Sequence, residues 1–213
     1  MLVVEDLGRA DYAISWARQK ALLAARIARE VPDTLLLVEH EPVYTLGRRR
    51  GAAANVLAPQ GVPVLQVERG GDVTWHGPGQ ITAYPIVALP EGRQDLHRHL
   101  HDLEEAAIRT CADFGLSAGR DDRNTGAWVA GRKVCSVGIA CRRWVTWHGL
   151  ALNVAPDMDF FTRINPCGME VGVMTSMATE LGHAPDFEAV KRALVGHLRD
   201  LLPHGPPPDD RTG

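Results

Sequence analysis

Three parts of this 213-residue sequence carry side chains that could do chemistry: a cysteine at 167, a lysine at 133 and a glycine-rich run from Arg69 to Gln80. Cys167 sits in Ile164-Asn165-Pro166-Cys167-Gly168-Met169, where no helix or strand periodicity places it in a core. Such a cysteine is either a buried loop residue or a nucleophile. A free thiol of pKa about 8.5 is mostly protonated at neutral pH, so a nucleophile needs help from a nearby cation or base. Lowering the pKa by about two units takes roughly 2.7 kcal/mol of differential stabilisation. An ammonium about 4 Å away offers roughly 4 kcal/mol at an effective dielectric of 20, before desolvation is charged against it.

Lys133 is the leading candidate for that ammonium. The chain has only three lysines, and the other two, Lys20 and Lys191, fall in helical patterns and read as surface. Lys133 opens an otherwise apolar strand beside a glycine-containing turn. It is either an edge-strand lysine that discourages aggregation or a group that releases its proton and acts as a base, which arginine does not.

The run from Arg69 reads Arg69-Gly70-Gly71-Asp72-Val73-Thr74-Trp75-His76-Gly77-Pro78-Gly79-Gln80. Apolar stretches at 62–67 and 81–87 flank it, and both read as strands. The run is longer than a hairpin turn requires. Its glycines let a ligand approach main-chain N–H groups, and polar side chains with reach are interleaved among them. A ligand-cradling loop on a rigid sheet is the expectation. Two further segments, Ser136-Val137-Gly138 and His148-Gly149-Leu150-Ala151, place glycine inside strands, where it marks a close backbone approach. His76 and His148 each stand next to a tryptophan and a glycine, and each is either a general base or a hydrogen-bonded structural residue. His97, His99 and His101 imitate a metal motif, but residues i and i+2 of a helix do not face one another. No metal site is expected there, and none at the cysteines, which form no Cys-x-x-Cys pair.

The elements that must position these groups follow from periodicity. Helices are expected at 11–30, 94–114 (ended by Gly115) and 186–202. Strands are expected at 34–39, 43–46, 62–67, 81–87, 127–129, 133–140 and 144–154. Strands joined by hairpins with helices inserted at intervals argue for an α+β fold rather than a doubly wound parallel sheet. One domain over 1–202 is expected, with a Pro-rich, disordered tail at 203–213. A net charge of −3 gives no support to nucleic-acid binding. Apolar runs are too short for a membrane span, and the first residues lack the pattern of a signal peptide, so a cytoplasmic protein is expected.

With these groups placed, the chain resembles the lipoyl(octanoyl) transferase family. The resemblance rests on four motifs in order: Arg-Gly-Gly-x-x-Thr-x-His-Gly-Pro-Gly-Gln at 69–80, Lys-x-x-Ser-x-Gly at 133–138, His-Gly-Leu-Ala-Leu-Asn-Val at 148–154 and Asn-Pro-Cys-Gly at 165–168. It implies a mixed, largely antiparallel sheet flanked by helices, similar to the catalytic domains of biotin and lipoate protein ligases. It implies that Cys167 accepts the acyl group and that Lys133 lowers the thiol pKa and later handles the proton of the incoming amine. It also implies an acyl-substrate site lined by Arg69, Gly70, Gly71, Asp72, Val73, Thr74, Trp75 and His76, by Ser136, Val137 and Gly138, and by Gly149, Leu150 and Ala151. The implied donor is octanoyl-acyl carrier protein. The implied acceptors are lipoyl domains of 2-oxoacid dehydrogenases and the glycine cleavage H protein, with no cofactor, no nucleic acid and no membrane.

Two-step acyl transfer through a thioester on Cys167 is therefore the expected mechanism. Exposed basic clusters at Arg48-Arg49-Arg50 and Arg142-Arg143 are either solvated turns or docking points for an acidic carrier. An ATP-dependent lipoate or biotin ligase of the same fold is the alternative, although it would have no use for a cysteine nucleophile. A silent binding protein would leave Cys167 unreactive, and a cysteine hydrolase would release free acid faster than amide.

Overall fold

The computed structural model describes residues 2–165, 172–203, 205 and 207. Along the chain the elements are β1 (Val3–Ala10), α1 (Tyr12–Ile27), β2 (Thr34–His40), β3 (Val43–Leu46), β4 (Val64–Gln66), β5 (Val73–His76), β6 (Gln80–Ile86), α2 (Leu96–Asp113), β7 (Ala118–Gly119), β8 (Gly126–Val129), β9 (Arg132–Arg142), β10 (Val145–Asn153), α3 (Met177–Leu181) and α4 (Phe187–Leu201). Two 3-10 turns, Ala52–Asn55 and Met158–Arg163, lie between them.

Seven strands form the main sheet in the order β1-β2-β6-β10-β9-β8-β7. Only β1 and β2 run parallel; the remaining neighbours are antiparallel. The sheet is thus mixed and largely antiparallel, as expected. Alternation along β2 explains its two covered faces. Leu35 and Leu37 join Ile81, Ala83, Leu103, Ala107, Val190 and Leu194 beneath α2 and α4. Leu36 and Val38 join Leu22, Leu23, Tyr84, Ile86 and Trp147 beneath α1. Side-chain caps set two helix starts: Asp95 accepts from the His97 and Arg98 N–H groups, and Asp186 from those of Glu188 and Ala189. Past the end of α2, Gly115 takes φ 83°, the left-handed conformation that glycine supplies without a Cβ penalty.

The expectation for 69–80 needs correction. That stretch is not a plain loop between two neighbouring strands. Its middle forms β5, which pairs antiparallel with β3 from Val43↔His76 to Leu46↔Val73. The strand before it, β4, pairs parallel with β3 and belongs to a separate three-stranded sheet, whereas β6 lies inside the main sheet. Glycines on both sides of Val73–His76 hide its alternation in the sequence. The edge strand β1 was also unanticipated, because Glu5, Asp6, Gly8 and Arg9 break up its apolar pattern.

Candidate active site

The geometry of the site starts from the register of β9 and β10. Ser136 pairs with Ala151, Val137 with Leu150 and Gly138 with Gly149, so two of the sequence motifs are one ladder. The 69–72 segment lies on that ladder: Gly70 N donates to Ile139 O at 2.8 Å. Gly138 makes the approach possible, because a Cβ there would stand 3.1 Å from Gly70 O and 3.4 Å from Arg69 Cδ. On its other side the segment is pinned by the loop after β3, with Gly47 N donating to Asp72 O, Arg48 N to Arg69 O and Arg49 N to Gly71 O. A cavity opens between the ladder and this segment. Its wall holds every described residue of the expected acyl site, together with Lys133, except Trp75.

Trp75 is the correction. Strand alternation turns it away from Thr74 and His76, into the core of the small sheet. There it is fully buried, stacked on Phe160 at 4.8 Å and edge-on to Phe161 at 5.4 Å. Tyr12, Thr82, Tyr84, Leu100, Asn124, Thr125 and Met174 also line the cavity. They come from α1, β6, α2, the β7–β8 connection and the stretch before α3, and no local motif marks them.

Lys133 lies at the start of β9 and is only 4% exposed. Its Nζ donates to Asn124 Oδ1 and stands 5.6 Å from the Trp128 ring centre. The lysine backbone is bonded to the stretch beyond the nucleophile candidate: Lys133 N donates to Val173 O at 2.7 Å, and Thr175 N to Lys133 O at 2.9 Å. Cys167 itself lies outside the described residues. On the near side of its segment, Asn165 N donates to Asn55 O at 2.8 Å. Asn55 Nδ2 in turn donates to Asp72 Oδ2 at 2.7 Å, tying this entry to the Arg69–Gln80 motif. Two of the described cysteines are poor nucleophiles: burial pushes the Cys111 thiol up to about 12, and burial drives Cys135 higher still despite neighbouring Lys133.

Arg69 is 8% exposed, with Nη2 donating to Thr45 O at 2.7 Å and to Thr45 Oγ1 at 2.9 Å. His76 Nδ1 stands 2.8 Å from Gln80 Oε1. Gln80 Nε2 donates to Asn153 Oδ1 at 2.8 Å, so Oε1 is the atom facing the imidazole and Nδ1 carries the proton. His76 Nε2 then accepts from the Thr45 hydroxyl at 3.3 Å. Both ring nitrogens are occupied within the protein, and burial holds the imidazole pKa well below its ordinary value. His76 is a structural tie rather than a base. The chain of bonds continues from Asn153 Nδ2 to Thr175 O at 2.9 Å, which joins the 69–80 and 148–154 motifs to the segment beside Lys133.

His148 is 1% exposed and stacks on Trp147 at 4.3 Å. Its φ of 57° is unusual for a non-glycine residue, although the pairing of β10 with β9 runs unbroken through it. Burial, with Arg69 nearby, lowers its pKa to about 3, so it is neutral at physiological pH. His99 is buried while His97 and His101 are exposed, so the three do not converge.

Known proteins resemble this chain in sequence and in fold. The family model described as the lipoyl protein ligase A/B catalytic domain matches residues 11–199. An octanoyltransferase of Geobacter metallireducens is 44% identical over 201 residues, which cover 94% of this chain and 93% of that protein. In three dimensions the chain is similar to a putative lipoate protein ligase of T. acidophilum, with a TM-score of 0.71, 14% identity and coverage of 94% and 84% of the two chains. It is also similar to the biotin protein ligase of Aquifex aeolicus in complex with biotin and ATP, with a TM-score of 0.58, 12% identity and coverage of 93% and 69%. At these identities the two structural likenesses are of fold.

Proposed function

This chain belongs to the lipoyl protein ligase A/B catalytic-domain family, and from that premise we propose that it is an octanoyltransferase that moves an octanoyl group onto a protein lysine through a thioester on Cys167. The observation that carries the reading is the position of Lys133. It is a buried lysine on the wall of the acyl cavity, and its backbone is hydrogen-bonded to residues 173 and 175, just beyond the segment that holds Cys167.

In the first step the Cys167 thiolate, stabilised by the Lys133 ammonium, attacks the carbonyl carbon of octanoyl-acyl carrier protein. The new S–C bond forms as the carrier C–S bond breaks, and Lys133 gives its proton to the departing carrier thiolate. In the second step the lysine amine of a lipoyl domain attacks the acyl-enzyme. Lys133, now neutral, takes the amine proton, the amide forms and the Cys167 thiolate is restored. A thioester gives way to a thioester and then to an amide, so the sequence runs without ATP. Backbone N–H groups of the glycine segments would hold the oxyanion of each tetrahedral intermediate. Arg69, Gly70, Gly71, Asp72, Val73, Thr74 and His76, with Ser136–Gly138 and Gly149–Ala151, form the acyl site. The apolar members bury the chain at about 0.8 kcal/mol per methylene.

Residues 1–202 form the catalytic unit, with a short tail after it. Among the described residues no helix is long and apolar enough to cross a membrane, which suits a cytoplasmic enzyme that meets carrier protein and lipoyl domains in solution. The acceptors are lipoyl domains of 2-oxoacid dehydrogenases and the glycine cleavage H protein. Purified protein, octanoyl-acyl carrier protein and a lipoyl domain test the proposal: octanoylated lipoyl domain forms without ATP. A requirement for ATP and free octanoate would replace this reading with a ligase.

A further inference from the structure

Lys133 can serve first as an ammonium and then as a base only if its amine is aimed while its charge is left largely intact. Among the described residues, Asn124, in the connection between β7 and β8, meets it: its Oδ1 accepts from Lys133 Nζ. We infer that Asn124 is a positioning residue for Lys133; the inference rests on the reading of Lys133 given above.

The connection is built to present this side chain. Its backbone is fixed without it. Trp128 Nε1 donates to Asn124 O at 3.0 Å. Gly126 N donates to Glu104 Oε1 at 2.7 Å. Arg123 is clamped to Asp121 Oδ2 at 2.7 Å and to Gly131 O at 2.9 Å. Gly126 clears the path of the lysine: its φ is 148°, and a Cβ there would stand 2.2 Å from Cys135 O and 2.6 Å from Lys133 Cε. Asn124 also lies on the cavity wall, in the same enclosure as Lys133.

The choice of an amide has a chemical consequence. A neutral oxygen acceptor orients one N–H of the ammonium and adds no charge. A carboxylate in its place would offset the ammonium, raise the lysine pKa and weaken its hold on a neighbouring thiolate. Among the described residues, the charged groups on the packed elements have partners of their own. Glu104 of α2 binds the Gly126 N–H and pairs with Arg120. Arg123 lies over the Trp128 ring and pairs with Asp121. Glu180 of α3 accepts from the Thr175 hydroxyl and pairs with Arg132. The neighbouring thiol, Cys135, is buried and protonated.

Two variants test this. Asn124→Ala removes the acceptor but leaves the Trp128–Asn124 backbone bond and hence the fold. It should lower kcat at least tenfold with an unchanged KM for the acyl donor and an unchanged melting temperature. Asn124→Asp keeps an acceptor of the same shape. It should move the acid limb of the acylation rate, and the pH dependence of Cys167 alkylation, upward by about one pH unit or more. Wild-type kcat in Asn124→Ala, or an unmoved limb in Asn124→Asp, overturns the inference. Lys133→Met is measured alongside. If it keeps the wild-type rate, the reading of Lys133 falls and Asn124 falls with it; if it is inactive while Asn124→Ala is not impaired, only the role of Asn124 falls.

Discussion

His40, His76, His99 and His148 are held neutral by burial, with His40 and His99 lowered to about 4 and His148 to about 3. Each folded value lies below the unfolded one of about 6.5, so the unfolded chain binds protons that the folded chain refuses. Their contribution to stability is complete above that value and is lost as pH falls from about 6.5 toward 4. Each imidazole steepens the loss by up to about 1.4 kcal/mol per pH unit. The carboxylates of Glu5, Glu41, Glu105 and Asp121 are held below their ordinary range by hydrogen bonds from arginines, so their contribution is intact between pH 7 and pH 5 and is lost only in more acid solution. The urea midpoint should therefore drop clearly between pH 7 and pH 5, and an unchanged midpoint would show that these imidazoles are protonated in the folded protein. At this scale the sequence is uneven. Lys133 stands out because lysine is rare here. Asn124, in Arg120-Asp121-Asp122-Arg123-Asn124-Thr125, reads as an ordinary polar turn, because the hairpin that follows is legible but nothing in the local pattern aims this side chain at Lys133. His76 was open to two readings in the sequence, and its bonds to Gln80 and Thr45 decide for the structural one.

Within the elements, glycines show where backbones press together. Gly149 pairs with Gly138 in the β9–β10 ladder, and a Cβ on Gly149 would stand 2.2 Å from Ala83 O and 2.7 Å from Pro85 Cδ on β6. Gly149→Ala would force β10 away from β6 at the cavity wall. It should cost about 1–3 kcal/mol in denaturant unfolding and lower acyl transfer as well. Gly196, inside α4, is open: a methyl group on its Cα would meet nothing within 4 Å. Gly196→Ala should raise stability by about 0.5–1 kcal/mol and leave transfer unchanged. Equal effects of the two substitutions would contradict this account of strand contact. The long helices and the hairpin strands were legible because their periods run uninterrupted. Strand β5 was not, since a four-residue strand in a glycine-rich run gives too little alternation, and its partner β3 lies some thirty residues upstream.

Across the whole molecule, distant parts of the chain meet at Asp33. Its carboxylate accepts from Arg26 Nε at 2.7 Å, Ala88 N at 2.9 Å and Gly205 N at 2.7 Å, while its backbone oxygen accepts from Val3 N at 2.9 Å. Arg26 and Asp33 are 1% and 2% exposed, so Asp33→Ala would remove the carboxylate that binds a buried guanidinium and two backbone N–H groups, and should destabilise the fold by about 3–5 kcal/mol in urea unfolding. The family fold, a mixed sheet with helices on both faces, was visible in the order of hairpins and helices. The division into two sheets was not, because it depends on the parallel pairing of β3 with β4. On the surface, Arg48, Arg49, Arg50, Arg142 and Arg143 are exposed. Glutamate at 48 and 50 should slow transfer from octanoyl-acyl carrier protein and flatten its salt dependence, while transfer from octanoyl-pantetheine is unchanged. Equal slowing with both donors would remove the patch from carrier docking. The central claim is the thioester on Cys167. Intact-mass measurement after mixing the protein with octanoyl-acyl carrier protein, in the absence of acceptor, should show one added octanoyl group that maps to Cys167, is lost on addition of a lipoyl domain, and never forms in Cys167→Ala. Octanoylation of the lipoyl domain by Cys167→Ala at the wild-type rate, with no acylated enzyme at any time, would contradict it.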